Sequence, residues 1–173
     1  MRKIAVVGPV GAGKSHLANQ LGKRLEIPVL HLDALFWGPG WVATPPGEWE
    51  ARQRSMLAAG SWVAEAQFDD VLPDWFHEAD TVVFVDASPL RCLWSVARRR
   101  LSRQTSVGTP SGSEPGPSHR ALAKFIRNQW RYRTSVRKEL LAELAHDRAG
   151  RRVVVVRRRS EADAFLSGVD LPD

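Results

Sequence analysis

Apolar positions along this chain follow two rhythms. Ile4-Ala5-Val6-Val7, Thr81-Val82-Val83-Phe84-Val85 and Arg152 to Val156 are short runs rich in β-branched residues, the pattern of strands buried on both faces. Pro28 to His31 and Trp62-Val63-Ala64 read as two further short strands. Between them the spacing changes: Leu17, Ala18, Leu21 and Leu25 predict a helix over 14–25. Helices are also predicted from Glu48 to Ala59, stopping at Gly60, and from Leu90 to Arg103 with Pro89 near the first turn. A long helix is expected over His119 to His146 and a closing one over Glu161 to Leu166. Asp33 to Gly47, rich in Trp, Gly and Pro, is expected as loop. Strands alternating with helices imply an α/β fold, a parallel sheet covered on both faces.

Length and composition add limits. At 173 residues the chain fits one domain over 1–173, and 43% hydrophobic residues suffice for a core. Residues 104–118 (QTSVGTPSGSEPGPS) form the one low-complexity stretch, expected as a mobile loop within that domain, because the segment C-terminal to it is too short to stand alone. No run approaches the roughly 18 apolar residues of a membrane span. The apolar start after Met1-Arg2-Lys3 is broken by glycines and runs into Lys14 without a cleavage pattern, so it does not read as a secretory signal. A cytoplasmic protein is expected. The single cysteine, Cys92, excludes an internal disulfide and reads as a core residue at a helix start. His16, His31, His77, His119 and His146 are scattered singles without metal-ligand spacing.

The net charge of +6 conceals an asymmetry. Residues 91–159 hold 18 basic and 4 acidic side chains, whereas residues 1–90 hold 7 basic and 11 acidic ones. An arginine-rich segment suits phosphate oxygens, which a planar guanidinium meets with two donors at once. Those phosphates could belong to a nucleotide or to a nucleic-acid backbone; charge alone does not choose.

The decisive pattern is Gly8-Pro9-Val10-Gly11-Ala12-Gly13-Lys14-Ser15, a complete G-x-x-x-x-G-K-[ST] motif. It stands directly after a predicted strand and opens a predicted helix, as its mechanism requires. Its glycines permit a tight loop whose N–H groups turn inward around phosphates, and the helix N-terminus favours anions. Gly8, Gly11, Ala12, Gly13, Lys14, Ser15 and His16 are therefore the candidate nucleotide-binding residues. Lys14 would bridge the outer phosphates and Ser15 would ligate Mg2+.

Taken with the later segments, the motif makes the chain resemble the P-loop nucleoside monophosphate kinases. It is most similar to the adenylate-kinase-related group often labelled "DNA topology modulation protein". The likeness runs through His31-Leu32-Asp33, Leu35-Phe36-Trp37, Pro39-Gly40-Trp41, Trp49, Trp62-Val63, Ala79-Asp80-Thr81, Leu93-Trp94, Arg98-Arg99-Arg100, Trp130, Tyr132-Arg133 and Val155-Val156-Arg157. It implies a P-loop NTPase three-layer sandwich, with a five-stranded parallel sheet in the order 2-3-1-4-5, flanking helices and a lid segment at about 103–118. It also implies ATP rather than GTP, with Mg2+, as the nucleotide.

The same resemblance suggests further roles. Asp33, beyond the second strand, would orient the acceptor, take its proton or approach the metal, or else cap the following loop. Glu65, closing the third strand, would hold the metal through water. Here the local sequence is Glu65-Ala66-Gln67 where the family tends to have Asp-Gly-Asn, and Asp86 at the end of the fourth strand competes for the metal role. Arg99 and Arg103, four apart on one helix face, match paired lid arginines, against a plain solvated basic face. Arg127 and Arg131 could complete the phosphate clamp, and Arg157 could stack on the base. Trp37 and Trp41 could stack on an acceptor ring or simply pack, while Trp49, Trp62 and Trp94 are expected in the core.

These readings predict an ATP-dependent phosphotransferase acting on a small molecule or nucleotide, with Lys14, Asp33, Arg99 and Arg103 as catalytic groups. Two alternatives stay open at this point: a nucleic-acid-associated or regulatory P-loop ATPase, and a nucleotide-binding module without turnover, which the Glu65-Ala66-Gln67 departure keeps in view.

Overall fold

The computed structural model describes residues 1–38, 42–66, 73–101, 126–127, 130–146 and 150–169. Five strands form one parallel sheet: β1 (Lys3–Val7), β2 (Val29–His31), β3 (Trp62–Ala66), β4 (Thr81–Val85) and β5 (Arg152–Val156). Their order is β2-β3-β1-β4-β5, as the resemblance implied. The helices are α1 (Lys14–Leu25), α2 (Leu32–Phe36), α3 (Pro46–Leu57), α4 (Pro73–Glu78), α5 (Pro89–Leu101), α6 (Arg137–His146) and α7 (Arg159–Ser167). A π-helical segment, Tyr132–Val136, leads directly into α6.

The alternation of side chains along β1 divides the core in two. Ile4 and Val6 point into one apolar layer with Leu17, Ala18, Leu21 and Leu25 of α1, Cys92 of α5 and Phe165 and Leu166 of α7. Ala5 and Val7 point into the other, with Leu32 of α2, Trp49 of α3, Trp75 and Phe76 of α4, Tyr132 and Leu140. Trp62 and Trp75 meet there edge to face at 5.0 Å. Strands β1, β3 and β4 are almost entirely buried, as the continuous apolar runs required, whereas the edge strands β2 and β5 are partly exposed.

Two register facts place the site. Val63 faces the α1 layer, so Glu65, two residues on, faces it as well. His31 of β2 lies directly across from Glu65, on the same face. Helix α1 crosses this face so closely to β2 that a Cβ on Gly22 would stand 2.2 Å from Cγ2 of Val29.

Some expectations need correction. Asp33 sits within a short helix, α2, and not in a continuous loop from Asp33 to Gly47. That stretch also carries an isolated bridge between Trp37 and Ala43. Helix α4 was not anticipated; at six residues it is too short to show a period. Trp94, expected in the core, is 68% exposed. Two residues before it, Cys92 is turned inward beneath the phosphate-binding loop, and two residues rotate a helical side chain by about 200°. Burial pushes the Cys92 thiol up to about 11, which leaves it a packing group and not a nucleophile. Of the helix expected from His119, residues 119–125 and 128–129 lie outside the described residues, as do the expected lid at about 103–118 and, with it, Arg103. Among the described residues no helix is long and apolar enough to cross a membrane.

Candidate functional site

The loop between β1 and α1 is built by close approaches that only glycine allows. A Cβ on Gly8 would meet the Val85 carbonyl oxygen at 2.5 Å, which seats the loop on the end of β4. Gly11 has φ +80, and a Cβ there would lie 2.6 Å from the Cys92 carbonyl oxygen of α5. Across Val10 and Gly11 the Ala12 N–H donates to the Pro9 carbonyl at 3.2 Å, closing a tight turn. Gly13, at φ +99, begins α1, and among the described residues, its chain neighbours apart, no atom lies within 4 Å of where a Cβ would stand. Gly13, the residue at this helix N-terminus, makes no side-chain cap, and the first turn carries no acid. The concave side of the loop thus presents helix-start N–H groups and open space, the setting in which a phosphate binds.

Lys14 and Glu65 meet at the mouth of this cradle. Both are almost wholly buried, and Nζ of Lys14 lies 3.7 Å from Oε1 of Glu65 while donating to the Pro9 carbonyl at 3.2 Å. The other carboxylate oxygen, Oε2, is 3.0 Å from Nδ1 of His31. Burial alone would raise the Glu65 pKa. The His31 hydrogen bond, the Lys14 charge and the nearby Ser15 hydroxyl together outweigh burial and hold the carboxyl below its usual value of 4.5. Glu65 is therefore an ionised carboxylate close to Ser15. This pair of hard oxygen donors, next to the phosphate cradle, suits Mg2+. Among the described residues no cluster of three or more His, Cys, Asp or Glu side chains could hold a metal unaided. An ion here would have to draw its other ligands from phosphate and water, which is how Mg2+ is ordinarily held.

Asp86, the competing acid, has a different occupation. Arg137 of α6 grips both its oxygens, with Nε at 3.0 and 3.1 Å and Nη2 at 2.8 Å. Arg157 approaches the same carboxylate at 3.9 Å. The Arg157 backbone is pinned as well: its N–H donates to Glu161 at 2.6 Å and its carbonyl accepts from Arg91 at 3.2 Å. Its own side chain is left mostly exposed beyond β5.

The remaining predicted residues are spread around this centre. Ser15 is half-buried and His16 exposed on α1. Asp33 is half-buried in α2, two residues beyond His31. Trp37 packs edge to face on Phe36 at 4.9 Å, and Phe36 packs in turn on Trp49 at 5.4 Å. Arg99 is half-buried on α5, whereas Arg127 and Arg131 are exposed on the helical residues before the π-helical segment. Trp41 and Arg103 lie outside the described residues. Sequence reasoning did not single out His31, Asn19 or Arg137. Only Asn19 left a local signal, since it falls one turn after Ser15 on the same face of α1.

Comparison with solved structures decides the fold class. The deoxyadenosine kinase of M. mycoides, solved with dATP bound, superposes with a TM-score of 0.51 over 96% of this chain and 98% of its own, at 11% identity. The fold is that of a P-loop kinase. TT1252 from Thermus thermophilus matches with a TM-score of 0.50 over 96% of both chains at 17% identity. Shikimate kinase from Bacteroides thetaiotaomicron gives 0.49 over 95% of this chain and 93% of its own, at 17% identity. At these identities the likeness to a P-loop kinase is one of fold. No protein-family model matches the chain. A tRNA dimethylallyltransferase of Mycoplasmoides gallisepticum is 54% identical over 33 residues, which are 19% of this chain and 11% of that protein. The chain thus matches only about a tenth of that relative's length.

Proposed function

We propose that this protein transfers a phosphoryl group from ATP to a small-molecule or nucleotide acceptor, with Mg2+ as the resident ion. The observation that carries the reading is the meeting of Lys14, Ser15 and ionised Glu65 at the mouth of a phosphate cradle, on a P-loop kinase fold. Transfer of this kind needs positioning and charge neutralisation more than covalent chemistry from the protein. The N–H groups of Gly11 and of Gly13 to Ser15 hold the phosphates, and Lys14 sets a buried positive charge against the outer ones. Ser15 and Glu65 hold the ion, which when bound draws charge from the phosphate oxygens. Asp33 orients the acceptor hydroxyl and takes its proton. Trp37 and Trp41 shape the acceptor side, and Arg157 stacks on the base.

Arg99 and Arg103, leading into the lid at about 103–118, and Arg127 and Arg131, beyond it, supply guanidinium groups to the transferring phosphoryl group. The resemblance to adenylate-kinase-related P-loop proteins of the DNA topology modulation group supports this assignment; a cytoplasmic setting is proposed from the sequence alone.

The test is ADP formation from Mg2+-ATP, alone and with a panel of nucleoside monophosphates and small alcohols, beside Lys14→Ala. Acceptor-dependent ADP release that Lys14→Ala abolishes supports the kinase. ATP hydrolysis indifferent to every acceptor would favour an ATPase, and binding without turnover a nucleotide-binding module.

A further inference from the structure

Glu65 departs from the family pattern in being one methylene longer than aspartate. A longer carboxylate has one more rotatable bond and, in a buried site, a strong reason to collapse onto the nearest cation. That cation is Lys14. Yet Glu65 stops short of it: Oε1 lies 3.7 Å from Nζ, beyond hydrogen-bond range, and Lys14 bonds to the Pro9 carbonyl instead.

What holds the carboxylate back is visible in the register. His31 and Glu65 are directly opposed on β2 and β3, so their side chains leave the sheet on the same face, and Nδ1 of His31 takes Oε2 at 3.0 Å. The ring is itself fixed, because Nε2 is 3.1 Å from Oδ1 of Asn19. Asn19 stands one turn beyond Ser15 on α1. Glu65, His31 and Asn19 thus form a hydrogen-bonded chain that ties α1, one turn past Ser15, to the ends of β2 and β3. The amide of Asn19 can meet Nε2 with its oxygen or, turned over, with its NH2. Nδ1–H therefore faces Glu65 whether the imidazole is charged or neutral, and the arrangement does not depend on a particular protonation state.

Resting on the metal role given to Glu65 above, we propose that His31 is a positioning residue: it turns the long Glu65 carboxylate toward Ser15 and the ion, and keeps it off Lys14. Partners of this kind, hydrogen-bonded behind a metal-holding carboxylate, typically govern metal affinity by 10–100-fold.

The experiment is calorimetric titration of the full chain with a non-hydrolysable ATP analogue, once with Mg2+ and once with EDTA. Wild type, Glu65→Gln, His31→Ala and His31→Asn are compared, each first shown to melt cooperatively. Wild type is expected to bind more tightly with Mg2+, and Glu65→Gln to lose that gain. His31→Ala should lose about tenfold or more of it, over and above any loss in EDTA that follows from Glu65 turning onto Lys14. His31→Asn, whose side-chain NH2 can reach where Nδ1–H stood, should recover most of the gain. A His31→Ala protein with the full Mg2+ gain overturns the proposal. So does one that weakens equally in EDTA, or an Asn variant no better than Ala. Wild type binding nucleotide without any Mg2+ gain removes the metal role of Glu65, and this inference with it, while leaving nucleotide binding intact. Wild type binding no nucleotide removes the proposed function as a whole.

Discussion

Lys14 and Glu65 face each other across 3.7 Å with their side chains 6% and 7% exposed. Two buried opposite charges of this kind are costly to desolvate and costly to separate. Glu65 offsets its burial with His31 as a further partner, and Lys14 with the Pro9 carbonyl. The pair is consequently stable yet loosely joined, which suits a lysine that must turn to phosphate.

Replacing Lys14 by Met keeps the volume and removes the charge. Unfolding in urea is expected to show a loss of about 3 kcal/mol, the low end for a broken buried pair, because Glu65 keeps its bond to His31. Lys14→Met/Glu65→Gln should be more stable than the sum of the single changes predicts, by about 1–2 kcal/mol. Additive losses would mean the two groups do not interact.

The acid limb of stability should carry a Glu65 contribution. Its carboxyl in the folded chain titrates below 4.5, so the native state binds this proton less readily than the unfolded chain. The resulting stabilisation is fully present above the unfolded value and is lost as pH falls through the folded one. Glu78, Asp80 and Glu161 are shifted in the same direction and will contribute to the same limb. Urea titrations between about pH 6 and pH 3 are expected to show a shallower loss for Glu65→Gln than for wild type. An identical slope would contradict the depressed carboxyl.

Alanine at two glycines of the loop should act differently. At Gly11 the added Cβ meets the Cys92 carbonyl at 2.6 Å in a backbone already at φ +80, so a drop in melting temperature of several degrees is expected. At Gly13 there is space, and the positive φ costs only about 1–2 kcal/mol. The Gly13 methyl would stand where phosphate must approach. Gly13→Ala should therefore melt closer to wild type yet lose more ATP-analogue affinity than its stability loss explains, a dissociation that calorimetry and thermal melts read directly.

Asp86 and Arg137 are expected to behave as a structural clamp between the end of β4 and α6. A double-mutant cycle with Asp86→Ala and Arg137→Ala should give a coupling of about 1–2 kcal/mol, reduced by the partial exposure of Arg137. Asp86→Asn should leave the Mg2+ gain in nucleotide affinity intact. Loss of that gain would return Asp86 to the metal.

Much of this protein was determined by contiguous sequence. The motif from Gly8 to Ser15 works through backbone N–H groups and φ values, which depend on residues adjacent in the chain, so its position could be read directly. Buried strands and the α1 helix were legible for the same reason: their periodicity is local. Tertiary structure alone decided the rest. His31 meets Glu65 across 34 positions and Asp86 meets Arg137 across 51, and neither pairing exists until strand register and helix docking choose which faces meet. A lone histidine and a run of arginines look alike in sequence whether they clamp a carboxylate or face water. Trp94 carries the same lesson in reverse: its apolar character is local, but the side of α5 that turns inward is set by the loop packed against Cys92.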